Sequence, residues 1–282
     1  MFFFLKNLTL EIYTIGYKRE GESIVFFIKT DNQIAYSGVI DCFEYNSINK
    51  TAEILMKNAV NKIDFLCWTH PDLDHSLGLD TILNQFVDFN TKIALPENIS
   101  GQEFSYHSSV KASFDFIQDK IKPRPGRKKF DVKSASDYKY LVWLDFKGPV
   151  LTYQMTIHSI APNSTIVRSR SLSTSTPKKN DYSVALMLNL GEVNILLGGD
   201  VENATINKFE EFYIPEKLDY IKVPHHTSKS SDKLLLYLSQ ELKVEVACTT
   251  LYETHELPNT ELLKIYLDYV NEFYCTWISR FQ

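Results

Sequence analysis

Between residues 8 and 13 apolar and polar side chains alternate, Leu8-Thr9-Leu10-Glu11-Ile12-Tyr13, the two-residue period of a strand with one buried face. The opening run Met1-Phe2-Phe3-Phe4-Leu5 reads as the start of a first strand. Further strands are predicted at 23–29, closed by a turn at Asp31-Asn32, and at 35–40, ending on Asp41. Residues 49–61 carry Ile54, Leu55 and Val60 at helical spacing, and an apolar strand follows at 63–68. The pattern then predicts a helix over 77–86 and strands at 141–146, 151–160, 183–190 and 193–197, the last two joined by Gly191-Glu192. A short helix at 203–212, strands at 220–224 and 244–249, a closing helix over 260–273 and a last strand at 275–278 complete the reading. Residues 100–135 are polar and partly helical, and 90–140 reads as an insertion in a single domain spanning 1–282. The Ser/Thr/Lys-rich stretch 163–180 is expected to be a mobile loop. Strands at both ends with helices between them predict an α/β layered architecture, and no internal repeat of 20–50 residues is visible.

Three apolar strands end in side chains that interrupt this pattern. After 63–68 the chain reads Thr69-His70-Pro71-Asp72-Leu73-Asp74-His75, with two imidazoles and two carboxylates within six positions. Alternate residues of an extended chain point the same way, so His70 and Asp72 converge on one point. Asp74 and His75, just past the turn, reach a second point close by, which is the arrangement two neighbouring cations require. The second strand runs Leu196-Leu197-Gly198-Gly199-Asp200; its glycines let backbone pass close to something, and a turn would explain Asp200 equally well. The third runs Ile221-Lys222-Val223-Pro224-His225-His226-Thr227-Ser228, and two adjacent His are hard to satisfy in a core. Together the three strand ends suit a binuclear metal site at one sheet edge.

Composition adds less. The chain has 282 residues, 44% of them hydrophobic, enough for a sizeable core. No apolar run reaches the ~18–20 residues of a membrane span, and the opening segment is too short for a signal-peptide core. Four scattered cysteines, Cys42, Cys67, Cys248 and Cys275, with no CxxC spacing, fit reduced thiols in a cytoplasmic protein. A net charge of −5 argues against nucleic-acid binding by bulk electrostatics. Basic residues cluster locally, however, at 120–129, including Lys128 and Lys129, and at 168–179; either stretch is a solvated loop or a contact for phosphates.

These motifs resemble the metallo-β-lactamase fold superfamily, whose first signature is HxHxDH. Here it stands as His70-x-Asp72-x-Asp74-His75, with Asp72 in place of the second imidazole. That change, with Leu-Leu-Gly-Gly-Asp200 and Val-Pro-His225-His226-Thr-Ser, is similar to the soluble metallohydrolase domain of the DNA-uptake protein ComEC. That subgroup reads THxDxDHxGG, LLTGD and LKVPHHGS. Weaker likenesses lie at Gly21-Glu22-Ser23, Val39-Ile40-Asp41, Asn180-Asp181-Tyr182-Ser183 and His255-Glu256-Leu257-Pro258, so the resemblance covers about 8–280 with 90–140 unmatched. It departs where Gly78-Leu79 replaces a Gly pair and where Thr227 replaces a Gly, so a backbone torsion open to Gly must suit Thr. Many members carry a further metal-binding His, and His158 has no clear claim to that role.

The resemblance implies an αββα sandwich, two mixed sheets packed face to face with helices outside. It implies two divalent ions: His70, Asp72 and Asp200 on the first, Asp74, His75 and one of His225 or His226 on the second, with Asp200 bridging. The strand end favours His225, with His226 as the alternative. Asp41 would orient a ligand ring, His255 would stand near the leaving group or a phosphate, and Asp74 and His255 are the expected catalytic residues. Lys128, Lys129 and Ser228 are the expected substrate contacts. The oxygen-rich first site favours Mn²⁺, with Zn²⁺ able to bind. The implied reaction is attack on a phosphodiester, in nucleic acid or a nucleotide, by a hydroxide shared between the ions. Rival readings are hydrolysis of another ester such as a phosphocholine ester or lactone, a regulatory module with a degenerate site, and a defence or toxin component with a protein partner bound through 90–140.

Overall fold

The computed structural model describes residues 1–5, 8–17, 21–101, 105–122, 125–126, 128–147, 151–172, 178–209, 214–238 and 242–276. The chain divides into two compact units, 1–134 and 135–282. Each is built on a seven-stranded sheet that is antiparallel in its first half and gains parallel strands later.

In the first unit β1 (Phe2–Leu5), β2 (Leu8–Gly16), β3 (Glu22–Thr30) and β4 (Gln33–Ile40) form an antiparallel meander. The β3–β4 turn has Asp31 and Asn32 at φ 51° and 64°, the left-handed pair that a tight hairpin requires. After Asp41 comes a small hairpin, β5 (Glu44–Tyr45) and β6 (Ile48–Asn49), then α1 (Lys50–Lys57). Asn49 caps α1 by accepting from the Ala52 amide at 2.8 Å. The helix stops short of the expected 61 because Ala59 turns left-handed, at φ 56°, and Val60 bonds back to the Leu55 carbonyl. β7 (Phe65–Cys67) then pairs parallel with β4, and β8 (Lys92–Pro96) parallel with β7, with α2 (Leu79–Gln85) between them. α3 (Ser108–Ile121) and β9 (Asp131–Ala135) complete the sheet in the order β1-β2-β3-β4-β7-β8-β9. The stretch 90–140 thus supplies two strands of this sheet and a helix, where the sequence pattern showed a polar, partly helical segment. One apolar cluster, including Val25, Phe27, Leu55, Leu66, Trp68, Ile82 and Ile117, packs the helices on the sheet.

The second unit opens with β10 (Lys139–Lys147), β11 (Thr152–Ala161), β12 (Ala185–Leu190) and β13 (Val193–Leu197), all antiparallel. β14 (Lys217–Lys222), β15 (Lys243–Thr249) and β16 (Val270–Cys275) then add in parallel. α5 (Asn203–Ile206), α6 (Leu234–Leu238) and α7 (Thr260–Tyr269) contribute apolar residues to a cluster that includes Met187, Leu196, Ile206, Ile221, Leu234 and Tyr266. Two expectations are corrected. Residues 164–172 form a helix, α4 (Ser164–Leu172), started by Asn163, which accepts from the Ile166 amide, and anchored by the fully buried Val167. The closing helix ends at Tyr269, because Val270 to Cys275 pair along the edge of β15 instead. The expected helix at 203–212 and the last strand at 275–278 run into residues 210–213 and 277–282, which lie outside the described residues. Among the described residues no helix is long and apolar enough to cross a membrane.

Candidate metal centre

In each unit the ligand-type side chains stand where the sheet changes from antiparallel to parallel, at the carboxyl ends of the two strands that meet there. Such switch points leave a crevice that no crossover covers.

In the first unit these strands are β4 and β7. Asp41 follows β4 at φ 58° and is buried; its amide donates to the Cys67 carbonyl at 2.8 Å. Its Oδ1 accepts from the Thr69 amide at 2.7 Å, and its Oδ2 accepts from the Thr69 hydroxyl at 2.6 Å. The same Oδ2 lies 2.7 Å from His75 Nδ1. A carboxylate only accepts, so His75 carries its proton on Nδ1 and presents the lone pair of Nε2. The Thr69 hydroxyl spends its one proton on Asp41, so its oxygen accepts from His70 Nδ1 at 3.0 Å. His70 therefore also presents Nε2. One buried carboxylate sets the tautomer of both rings.

The loop between those rings is closed by a relay. Trp68 Nε1 donates to Ser76 Oγ at 3.0 Å, and Ser76 Oγ donates to the Asp72 carbonyl. A short 3₁₀ turn, Leu73–His75, brings the two imidazoles to a centroid distance of 4.2 Å, both fully buried. His70 Nε2 lies 3.5 Å from Asp72 Oδ2, and His75 Nε2 lies 3.8 Å from Asp74 Oδ2. Both separations exceed a normal N–H···O bond. They match two ligands of one cation, because atoms each ~2.1 Å from an ion at a tetrahedral angle sit ~3.4 Å apart. The loop is held from outside by Gly21, at φ +117°; a Cβ there would lie 1.7 Å from the Asp74 carbonyl oxygen.

In the second unit the strands are β13 and β14. The close approach expected at the glycine pair is present: a Cβ on Gly198 would meet Pro224 at 2.6 Å, and one on Gly199 would meet the Val184 carbonyl at 2.4 Å. Asp200 is buried, and its amide donates to Ser183 Oγ at 2.8 Å. The His225 amide donates to the Gly199 carbonyl at 2.9 Å, which ties the two strand ends together. His225, His226 and Thr227 then turn left-handed in succession, at φ 48°, 51° and 62°. Thr227 adopts the torsion open to glycine, and its hydroxyl donates to Thr249 Oγ1 at 2.8 Å.

That turn separates the two histidines. His226 is buried, with Nδ1 2.7 Å from Thr250 Oγ1 and its ring stacked on Tyr252 at 4.9 Å. His225 is half-buried, with Nδ1 2.9 Å from Ser230 Oγ and Glu202 at 3.6 Å. Asp200 and His226 offer ligand atoms within 4.8 Å of each other, as do Asp74 and His75.

The other expected residues are placed as follows. Ser228 caps the turn Lys229–Ser231. His255 is exposed, its ring stacked on Tyr252 at 5.4 Å. Lys128 and Lys129 are exposed on the approach to β9, and among the described residues neither is hydrogen-bonded or ion-paired to the 70–75 loop. In the second basic stretch Arg170 pairs with Asp181 at 3.3 Å, so it is engaged within its own unit; 173–177 lie outside the described residues. His158 lies buried in β11 beside Tyr140, and burial lowers its pKa. Thr69, Ser183, Thr250 and Tyr252 support the ligand-type residues without having stood out in the sequence. Thr69, Ser183 and Thr250 each sit one to two positions from a strand end, where a hydroxyl has backbone or imidazole to bond, and Tyr252 lies three past the end of β15.

No family model and no curated protein matches this sequence. Solved structures do. The metallo-β-lactamase fold protein YhfI from Bacillus subtilis is similar with a TM-score of 0.50 at 13% identity, over 94% of this chain and 96% of that one. A mutant of the CmlA β-hydroxylase is similar with a TM-score of 0.50 at 10% identity, over 93% of this chain and 52% of that one. At such identities the likeness speaks for architecture. The chain has the metallo-β-lactamase fold.

Proposed function

We propose that the protein is a metal-dependent hydrolase that cleaves a phosphodiester, in nucleic acid or a nucleotide. The observation that carries this reading is the pair of imidazoles with tautomers fixed by Asp41 and Thr69, each Nε2 facing a carboxylate at ligand-to-ligand distance. Asp74, His75, Asp200 and His226 are a donor set of the same chemistry, with all but Asp74 buried. In this reading His70, Asp72 and Asp200 would hold one divalent ion, and Asp74, His75 and His226, with Asp200 again, would hold the other. His226 takes the role that strand position alone assigned to His225, because it is the fully buried ring of the two and belongs to the donor set. His225, half-buried against Ser230 and Glu202, faces the substrate instead.

When bound, such ions supply Lewis acidity: they lower the pKa of water toward ~7 and polarise a phosphoryl oxygen. The chain's own residues do the rest. Asp41 and Thr69 accept at the two Nδ1 atoms, so that in each neutral ring Nε2 carries the lone pair. The burial of His70, His75, Asp200 and His226 strengthens the charge interactions they make. Asp72 in place of an imidazole makes one site oxygen-rich and favours a harder ion such as Mn²⁺ over Zn²⁺. A phosphodiester suits that donor set, and the subgroup resemblance points the same way.

The test is an activity screen with Mn²⁺ or Zn²⁺ on bis-p-nitrophenyl phosphate, single- and double-stranded DNA and cyclic nucleotides, with Asp74→Ala as the blank. Phosphodiester turnover that Asp74→Ala abolishes is expected. Turnover of lactones or phosphocholine esters alone would replace this reading with the corresponding esterase.

A further inference from the structure

The basic stretch 120–129 stands apart from the rest of the chain in charge. Six of its ten residues are Lys or Arg and none is acidic, whereas the whole chain has 30 basic and 35 acidic residues, so everything outside the stretch carries a net −11. A protein of net negative charge that gathers positive charge at one place can still bind a polyanion there. The stretch is pinched at its base: the Phe130 amide donates to the Lys120 carbonyl at 3.4 Å, so the chain leaves α3 and returns toward β9 at one point. Lys122, Lys128 and Lys129 are exposed, and among the described residues no carboxylate pairs with them. Several lysines elsewhere are engaged, Lys29 with Glu11, Lys50 with Glu53, Lys217 with Asp219 and Lys229 with Glu261. Arg124 and Arg127 add charge to the same stretch but lie outside the described residues.

Three phenylalanines stand at that base. Lys120 Nζ lies 5.0 Å from the Phe116 ring centroid, Phe116 meets Phe130 at 6.1 Å, and Phe130 meets Phe89 at 5.7 Å and 60°. Phe130 is buried, but Phe89 leaves 41% of its surface open. We infer that the basic stretch and Phe89 form a docking surface for single-stranded nucleic acid, the lysines holding its phosphates and the open ring stacking one of its bases. This deepens the proposed function, which admits a nucleic acid or a nucleotide, and rests on that reading for the bound strand to be the substrate.

Position selects a strand over a mononucleotide. Phe89 precedes the amino end of β8, while the imidazole loop follows the carboxyl end of its parallel neighbour β7. The paired stretch between those ends, Phe65–Cys67 beside Lys92–Ala94, is about 10 Å of strand. A mononucleotide at the imidazoles therefore leaves the lysines unused, and a chain of at least about three nucleotides, at ~3.4 Å per phosphate, is needed to touch both. The open ring favours an unpaired strand, because a duplex keeps its base faces covered whereas any unpaired base has a face to stack. A lipid surface fits less well: among the described residues the large apolar side chains exposed here are Phe89 and Ile121, too little area to insert beside the charge.

The experiment measures binding without metal, so that it stands apart from catalysis. Full-length wild type, the triple variant Lys122→Gln/Lys128→Gln/Lys129→Gln and Phe89→Ala, each checked for a cooperative melt, are titrated in chelator against fluorescein-labelled dodecathymidylate by anisotropy, from about 50 to 200 mM salt. Wild type should bind the strand more tightly than it binds a duplex of equal length or phosphatidylserine vesicles. Each phosphate contact on a single strand adds about 0.7 to the slope of log K against log salt, so the triple variant should flatten that slope by about 2 and bind about tenfold or more weakly at the lowest salt. Phe89→Ala should weaken binding about tenfold with the slope unchanged. The docking surface is overturned by absent strand binding in wild type, by a slope that the triple variant leaves as it was, by Phe89→Ala binding like wild type, or by duplex or vesicles bound as tightly as the strand, even where bis-p-nitrophenyl phosphate is cleaved. Strand binding with these losses, but no phosphodiester turnover by wild type with Mn²⁺ or Zn²⁺, upholds the surface and sinks the proposed reaction instead.

Discussion

Asp41→Asn is the sharpest perturbation that the structure offers, because it is nearly isosteric and changes only what one group can accept. The carboxylate takes three hydrogen bonds: from the Thr69 amide, the Thr69 hydroxyl and His75 Nδ1, at 2.6–2.7 Å. An amide must put its NH₂ at one oxygen position. At Oδ1 it would face the Thr69 N–H, a donor that cannot turn away. At Oδ2 it faces a hydroxyl that can rotate and an imidazole that can switch tautomer, so that orientation wins. His75 then accepts on Nδ1 and carries its proton on Nε2, the atom proposed to bind metal. Thr69, released as an acceptor from the amide, can turn its proton toward His70 and switch that ring as well. Altering a partner of this kind costs about 10–100-fold in metal affinity, or about 1.4–2.7 kcal/mol. Replacing three charge-assisted bonds by neutral ones costs the fold a further ~2–3 kcal/mol, a fall in Tm of about 5–10 °C. Calorimetric titration of metal-free protein with Mn²⁺ and Zn²⁺ reads the first quantity, and scanning calorimetry the second. Thr69→Val, which removes the hydroxyl bonded to both Asp41 and His70 but leaves His75 Nδ1 on the Asp41 carboxylate, should lose less affinity than Asp41→Asn. If Asp41→Asn binds both ions within twofold of wild type, the tautomer argument is wrong.

Other consequences are open to measurement. Gly21→Ala combines a φ of +117° with a contact of 1.7 Å to the Asp74 carbonyl, and should destabilise the protein by about 3–5 kcal/mol; an unchanged Tm would mean the loop is held some other way. Burial depresses the His158 pKa below the ordinary ~6.5, so the unfolded chain takes up this proton first as pH falls. Its contribution is therefore full above ~6.5 and lost below it, and His158→Gln should reduce the drop in Tm between pH 7.5 and 5.5; an unaltered drop would contradict this. Burial pushes the Cys42 thiol up to about 12 and Cys67 well above its usual range, so neither should react with a disulfide reagent in native protein at pH 8. The half-buried Cys275 should react first, and labelling of Cys42 or Cys67 before unfolding would refute the burial argument.

What could be read in the sequence was the interruption of pattern. Apolar strands β7, β13 and β14 each end in ligand-type residues, and a strand end is where alternation stops constraining side-chain choice. Alternation located β2, and nearly continuous apolar runs located β3, β4, β12 and β13, which are buried over most of their length. It failed where tertiary contacts outweighed local signal. Val270 to Cys275 continue the spacing of α7, yet the free edge of β15 draws them into the sheet. Ile166 and Val167 are two apolar residues in a Ser/Thr/Lys-rich stretch, too few to announce a helix, but Val167 is fully buried and Asp137 receives both the Ser164 amide and hydroxyl. β8 was hidden because its five residues have no alternation, as befits a parallel strand covered on both faces. The choice between His225 and His226 was beyond any periodicity argument. Which of the two is buried follows from three successive left-handed torsions, a backbone path that a residue-by-residue extension of β14 does not contain.

Those three torsions make the histidine turn a dependent structure. No glycine eases it, so its handedness is maintained by neighbours: Thr249 receives the Thr227 hydroxyl, and the Asn259 amide donates to the Thr227 carbonyl at 3.2 Å. Asn259 also caps α7. Helix α7 and the imidazoles are thereby parts of one latch. A substitution scan would find "active-site" phenotypes at positions around 249 and 259 that never meet a substrate, and an attempt to graft the histidine loop onto another scaffold without that helix would transplant the letters but lose the shape.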